Sequence, residues 1–145
     1  MKRAAFRKTL SSNDVGETGG HQGGILIPKG ESDLLAFLPY LNPSVKNPDA
    51  WLACMDENGD IHQFRFVYYN NKLHDENGTR NEYRITHMTA WFRRCGARTG
   101  DVFEISQDET QTTYRIRIVR SDDETEKEQS SSPTRIRLRG WRRVH

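Results

Sequence analysis

The stretch "TRNEYR", Thr79–Arg84, brings two arginines, an asparagine and a glutamate together. In the major groove of DNA, guanine offers two acceptors that suit arginine, adenine offers a donor and an acceptor that suit asparagine, and cytosine offers a donor that suits a carboxylate. A glutamate between two arginines would repel a phosphate, but it suits a cytosine whose guanine partner is held by an arginine. We therefore predict base contacts from Arg80, Asn81, Glu82 and Arg84.

The same spacing also fits a simpler arrangement. Arg80, Glu82 and Arg84 stand at alternate positions, which places them on one face of a strand, where they can form an ion-pair ladder. Such surface ladders are common and contribute little stability. The residue types alone leave both interpretations open.

A second polar stretch, "SNDVGETGGHQGG" at Ser12–Gly24, combines five glycines with side chains that could read bases. A disordered leader could have this composition. So could a loop whose glycines let backbone N–H groups approach a polar surface closely. For the second case we predict base contacts from Asn13, Asp14, His21 and Gln22. Contacts to the DNA backbone, which fix the register of a protein on the duplex, are expected from Thr18, Tyr69, Lys72, Arg93 and Arg94.

Catalytic and metal-binding patterns are missing from the sequence, which contains no GxSxG, HExxH or P-loop motif. His21 and His62 have no partner at ligand spacing. "DENGD" resembles a calcium loop, but Gly59 is fourth rather than sixth, so a hairpin turn explains it better. "DDETEKE" lacks the acid two residues before Lys127 that a nuclease motif would need. We predict no reaction, metal or cofactor for this chain.

Charge alternates along the 145 residues, although the net charge is only +2. Residues 1–30, 65–98 and 133–145 carry +3, +4 and +5, whereas 31–64 and 99–132 carry −5 each. Folding could gather the basic blocks on one face that suits a polyanion. Alternatively, the charges solvate separate loops.

The length predicts one domain over residues 1–145. No apolar run approaches the ~20 residues that span a bilayer, so no membrane partner is expected. The N-terminus has basic residues but lacks the apolar segment of a secretory signal. Cys54 and Cys95 are far apart and form no CxxC motif, which predicts two reduced, buried thiols in a cytosolic protein.

Strand patterns outnumber helix patterns. Apolar runs and period-two alternation predict about seven strands, in "GILIP", "AWLACMD", "IHQFRFVYY", "EYRIT", "DVFEIS", "TYRIRIV" and "RIRLRGW". Asn58-Gly59 predicts a hairpin between the second and third of these. Two short helices are predicted in "ESDLLAFLP" and "THMTAWFRRCG", the latter with Thr86 as N-cap and Gly96 as C-cap. Ser121–Pro133 has no apolar residue and is predicted to be a solvated loop. The pattern indicates a mainly-β domain whose sheet closes into a barrel.

Four stretches resemble, in the same order, the N-terminal effector-binding domain of the EcoRII restriction endonuclease. They are "LSSNDVGETGGHQGGILIP", "NPSV" at Asn42–Val45, "VYYNN" at Val67–Asn71 and "TRNEYRIT" at Thr79–Thr86. The resemblance implies a DNA-binding pseudobarrel similar to the plant B-three domain. It further implies two loops that grip the duplex: an N-arm at about Ser12–Gly24 and a C-arm at about Asn70–Arg84.

The resemblance also implies a function. It indicates the non-catalytic specificity domain of a bacterial, cytoplasmic restriction enzyme, reading a CCWGG-like site with one domain per site. Magnesium would then serve only a separate catalytic nuclease domain. A transcription-regulator module of the same fold and an autonomous nuclease remain the alternatives, because fold does not determine function.

Overall fold

A computed structural model describes residues 3–16, 24–108, 112–120 and 140–144. These residues form eight strands and four short helices. In chain order the elements are β1 (Arg3–Thr9), α1 (Ser12–Val15), β2 (Ile25–Ile27), α2 (Ser32–Phe37), β3 (Asp49–Met55), β4 (Ile61–Tyr69), α3 (Asn71–His74), β5 (Glu82–Thr86), α4 (Thr89–Cys95), β6 (Val102–Asp108), β7 (Tyr114–Val119) and β8 (Trp141–Arg143).

The strands form one sheet in the order β2-β5-β4-β3-β7-β6-β1-β8. Neighbours are antiparallel except β3 and β7, which pair in parallel near Cys54 and Tyr114. The two edge strands meet, because the indole N–H of Trp141 in β8 donates to the carbonyl of Leu26 in β2 at 2.9 Å. The sheet is therefore a nearly closed barrel, and the predicted mainly-β pseudobarrel is confirmed.

Aromatic side chains fill the barrel. Trp91 of α4 lies 5.9 Å from both Phe64 and Phe103, measured between ring centroids. At α2, Phe37 packs on Phe6 at 5.0 Å, and its carbonyl accepts a hydrogen bond from the hydroxyl of Tyr114 at 2.9 Å. Apolar faces of two short helices thus complete the core that the strands leave open.

Most predicted elements are present. Six of the predicted strands match β2 to β7, and the two predicted helices match α2 and α4. The Asn58-Gly59 hairpin joins β3 and β4, and Gly59 has the positive φ of +87° that such a turn requires. Gly96 ends α4 in the left-handed conformation, as predicted. Both cysteines are free thiols: Cys54 is buried, which raises its pKa to about 12, and Cys95 is only half-buried.

Four features differ from the predictions. β1 was not predicted, because its polar side chains hide the strand pattern. The short helices α1 and α3 lie in stretches that the sequence predicts as loops. The predicted N-cap Thr86 is the last residue of β5, and its hydroxyl contacts His87 Nδ1 at 2.9 Å, so α4 begins at Thr89 instead.

Two predicted elements lie outside the described residues. The strand predicted around Ile136 and Leu138 is one of them, although β8 begins at the tryptophan that ends that stretch. The loop predicted at Ser121–Pro133 is the other. Within the described residues, no helix is both long and apolar enough to cross a membrane.

Candidate nucleic-acid interface

Strand register places three predicted contact residues on the outer face of the barrel. Tyr69 of β4 lies opposite Glu82 of β5, and Val67 lies opposite Arg84. Directly paired residues of an antiparallel ladder share one face. The neighbouring Tyr68 and Ile85 belong to the core, so Tyr69, Glu82 and Arg84 lie on the outer face at the end of β4 and the start of β5, where the C-arm joins the sheet.

The Glu82 carboxylate lies between two guanidiniums. Arg84 Nε donates to Glu82 Oε2, and Arg80 Nη2 lies 3.5 Å from the same oxygen. Burial alone would raise the pKa of Glu82, but hydrogen bonds and charge from Arg84 and Arg80 outweigh it and lower the pKa below the usual value. Glu82 is therefore ionised at neutral pH. Arg80, Glu82 and Arg84 therefore form the ion-pair ladder, and all three side chains remain partly exposed.

Arg80 is held from a second side by an aromatic ring. Its guanidinium carbon lies 3.8 Å from the ring centroid of Tyr69, within cation–π range. The Arg80 side chain is still 41% exposed. Its cationic group is thus oriented by the protein and accessible to a ligand.

The two predicted arms meet at Arg84. Its Nη1 donates to the carbonyl of Gly24, the last residue of the N-arm, at 3.0 Å. Gly24 has φ +80°, and a Cβ there would lie 2.0 Å from the carbonyl oxygen of Ile85. Only glycine permits this approach. The end of the N-arm is therefore pressed against β5, beside the polar residues of the C-arm.

Hydrogen bonds within the C-arm close it into a compact loop. The side-chain oxygen of Asn71 accepts from the backbone N–H groups of Thr79 at 3.1 Å and Arg80 at 2.7 Å. The N–H of Lys72 donates to the carbonyl of Arg80 at 3.0 Å. Asn81 accepts from the hydroxyl of Tyr68 at 2.5 Å. These bonds tie both ends of the arm to each other and to β4.

At the start of the N-arm, α1 is fixed by a capping box. Asp14 accepts from the backbone N–H of Ser11 at 3.0 Å, and its own N–H donates to the Ser11 hydroxyl at 3.1 Å. Lys8 Nζ donates to the same carboxylate at 2.5 Å, and the Asp14 side chain is only 7% exposed. Asp14 is therefore occupied in holding the arm, whereas Asn13 is exposed on the same turn.

The remaining predicted residues are more scattered. Lys72 is exposed on α3, and Arg93 and Arg94 are exposed on the last turn of α4, which packs beside α1. Thr18, His21 and Gln22 lie outside the described residues.

Sequence reasoning missed two residues that support the arms, Lys8 and Asn70. The Ser11-x-x-Asp14 spacing is a recognisable helix start and could have revealed the structural role of Asp14, the partner of Lys8. No local signal marks Asn70, because its side chain bonds to carbonyls 25 and 27 residues away.

Metal-ligand side chains do not cluster in the described part of the chain, which holds no group of three or more His, Cys, Asp or Glu residues that could bind an ion. The acid-rich segment "DDETEKE" lies outside that part.

Comparisons with known proteins identify a family and a similar fold. The family model described as "Restriction endonuclease EcoRII, N-terminal" matches residues 1–124. The chain is 40% identical over 84 residues to the type II restriction enzyme EcoRII of Escherichia coli, a match that covers 56% of this chain and 20% of that protein. The chain thus corresponds to about a fifth of that relative. Among solved structures, the Arabidopsis FUS3–DNA complex is similar in fold, with a TM-score of 0.59 and 21% identity over 79% of this chain and 95% of that one.

Proposed function

Because the chain belongs to the EcoRII N-terminal domain family, we propose that it is a DNA-recognition domain that reads a duplex site of the CCWGG type in the major groove. The fold is compatible with this function, since the structurally similar FUS3 chain was solved in complex with DNA. The two arms would enter one groove together.

The observation that carries the proposal is the position of Glu82 between Arg80 and Arg84 at the meeting point of the arms. A carboxylate accepts from the amino group of cytosine, and an adjacent guanidinium donates to O6 and N7 of the paired guanine. One such group can therefore read a C·G pair as a unit. The CCWGG site has two such pairs on each side of its central A·T pair.

We assign the other predicted contacts to base reading or to the DNA backbone by their residue types. The proposed amide readers are Asn81 and Asn13, and the capping box between Asp14 and Ser11 holds the helical turn that carries Asn13. His21 and Gln22 are further proposed readers in the N-arm. Backbone contacts are proposed from Thr18, Tyr69, Lys72, Arg93 and Arg94.

We propose that the domain supplies specificity and carries no reaction or cofactor of its own. Cleavage and its magnesium would belong to a separate catalytic domain, in keeping with the restriction-enzyme relative, of which this chain matches about a fifth. The domain would act as a monomer on each site, in the bacterial cytoplasm. Incubation with plasmid and magnesium should leave the plasmid intact, and cutting would show an autonomous nuclease.

Fluorescence anisotropy tests DNA recognition. A labelled CCWGG duplex and a scrambled duplex of equal composition are titrated at one fixed salt concentration, because the phosphate contribution to affinity depends on salt. We expect the CCWGG duplex to bind at least ~10³-fold more tightly, the lower end for specific DNA-binding proteins. Equal affinities would overturn the proposal.

A further inference from the structure

The start of the C-arm is bonded to a loop that is distant in sequence. Asn70 is fully buried, with 0% of its surface exposed. Its side-chain nitrogen donates to the carbonyls of Val45 at 2.9 Å and Pro43 at 3.3 Å. Its side-chain oxygen accepts from the backbone N–H of Asn47 at 2.7 Å. Every polar group of this buried amide thus bonds to the loop Asn42–Asn47, which we call the brace.

Asn47 also bonds to Asn70 through its own side chain. The side-chain oxygen of Asn47 accepts from the backbone N–H of Asn70 at 3.1 Å. Asn47 has φ +50°, a left-handed conformation that asparagine tolerates better than most residues. The side chains of Asn47 and Asn70 therefore each bond to the backbone of the other residue, which joins the brace to the start of the C-arm.

Further contacts attach α3 to the same loop. His74 Nε2 lies 3.0 Å from the carbonyl of Pro43, and Lys46 Nζ lies 2.6 Å from Asp75 Oδ2. The brace is itself closed, since the Asn42 side chain accepts from the Ser44 N–H at 3.0 Å. Both the start of the C-arm and α3 are therefore bonded to the brace.

We propose that the brace pre-positions the C-arm and that Asn70 is a positioning residue for base discrimination. This inference rests on the proposed DNA recognition. A loop that is ordered before binding loses less conformational entropy on binding, and its side chains keep the geometry that distinguishes one base from another. A loosened arm still presents positive charge to phosphates, so it keeps sequence-independent binding.

The experiment compares Asn70→Ala with a matched control, Asp56→Ala. Asp56 is also a buried polar side chain that holds a loop, accepting from the N–H groups of Asn58 and Asp60 and contacting His62. It lies at the opposite end of β4 from Asn70. Both variants should unfold at lower temperature than the wild type.

Only Asn70→Ala should lose discrimination. We expect the ratio of scrambled to CCWGG dissociation constants to fall at least tenfold, with the affinity for the scrambled duplex unchanged. Asn70→Asp should behave similarly, because it replaces the donor to Val45 and Pro43 with an oxygen that repels their carbonyls. An unchanged ratio in Asn70→Ala, or an equal fall in Asp56→Ala, would overturn the proposal.

Amide hydrogen exchange separates this inference from the function on which it rests. In the absence of DNA, the backbone N–H groups of Lys72, Thr79 and Arg80 should exchange faster in Asn70→Ala and at the wild-type rate in Asp56→Ala. Unchanged exchange in Asn70→Ala would refute the brace whatever the DNA result. Faster exchange in a protein whose wild type does not discriminate between duplexes would support the brace and refute the function.

Discussion

Arg84 and Gly24, 60 residues apart in the chain, are joined by a 3.0 Å hydrogen bond from Arg84 Nη1 to the Gly24 carbonyl. Arg84 also donates to Glu82. One guanidinium therefore connects the end of the N-arm to the acidic centre of the C-arm. The position of Gly24 beside the C-arm depends on this contact and on its close approach to β5.

The close approach can be tested with two glycines that have similar positive φ angles. Gly24 and Gly59 have φ of +80° and +87°, but a Cβ at Gly24 would lie 2.0 Å from the Ile85 carbonyl, whereas one at Gly59 meets nothing within 4 Å. Gly59→Ala should cost about 1 kcal/mol, the penalty for a left-handed residue. Gly24→Ala should lower the free energy of unfolding in urea by about 2 kcal/mol more than this, because backbone must move to admit the Cβ. Equal losses of unfolding free energy in the two variants would show that β5 can shift to admit the Cβ at no energetic cost.

Glu82→Gln should relax discrimination at a C·G pair. The neutral amide can present a donor where cytosine also presents one. Replacing that C·G pair should therefore reduce the binding free energy of the variant by about 1–3 kcal/mol less than it reduces that of the wild type. Competition titrations with duplexes substituted at single positions measure this. Asp33→Asn is the control, because Asp33 is an exposed carboxylate 3.5 Å from Arg143 outside the arms. A Glu82 variant with wild-type discrimination at every position would exclude the cytosine contact.

Lys72→Ala should weaken binding to all duplexes alike. An exposed lysine on α3 is suited to a phosphate, and loss of one phosphate contact lowers the slope of log affinity against log salt by about 1. Lys29→Ala, an exposed lysine in the turn after β2, should leave the slope unchanged. If Lys72→Ala instead lost affinity only for the CCWGG duplex, Lys72 would be assigned to base reading.

Glu104 makes stability depend on pH. Its carboxylate accepts from Arg7 Nε and Arg117 Nε, each at 2.8 Å. Burial alone would raise the pKa of Glu104, but the bonds from Arg117 and Arg7 outweigh it and lower the pKa. The contribution to stability is therefore present above the unfolded pKa of about 4.3 and lost as pH falls through the lower folded value.

Urea unfolding of Glu104→Gln across pH checks this. The variant should be about 3 kcal/mol less stable than the wild type at pH 7, because a buried ion pair loses its acid. The difference should narrow as pH falls below 4. A difference that stays constant from pH 7 to pH 3 would refute the role of ionised Glu104.

Much of the barrel could be predicted because its strands follow simple patterns. Tyr114 and Ile116 are buried while Arg115 and Arg117 are exposed, so β7 shows the alternation of a half-buried strand. β1 does not show this alternation, because Lys8 is buried by its pair with Asp14. The strand is also flanked on both sides, by β6 and β8. Polar residues that are buried by pairing cannot be recognised from hydropathy.

The sequence predicted the residue types of the candidate site, but it did not predict the residues that hold them in position. Side chains suited to base edges can be identified from chemistry alone, as for Glu82. The placement of Asn70 and the structural use of Asp14 depend on partners that only the fold brings near. Residues that hold a site are therefore harder to predict than residues that form its surface.

A crystal structure of this domain with a CCWGG duplex tests the central claim most directly. We predict that both arms lie in the major groove, with Glu82 within about 3 Å of a cytosine amino group and Arg80 or Arg84 on the paired guanine, at ordinary hydrogen-bond distance. Arms that point away from the duplex, or that contact only sugars and phosphates, would contradict it.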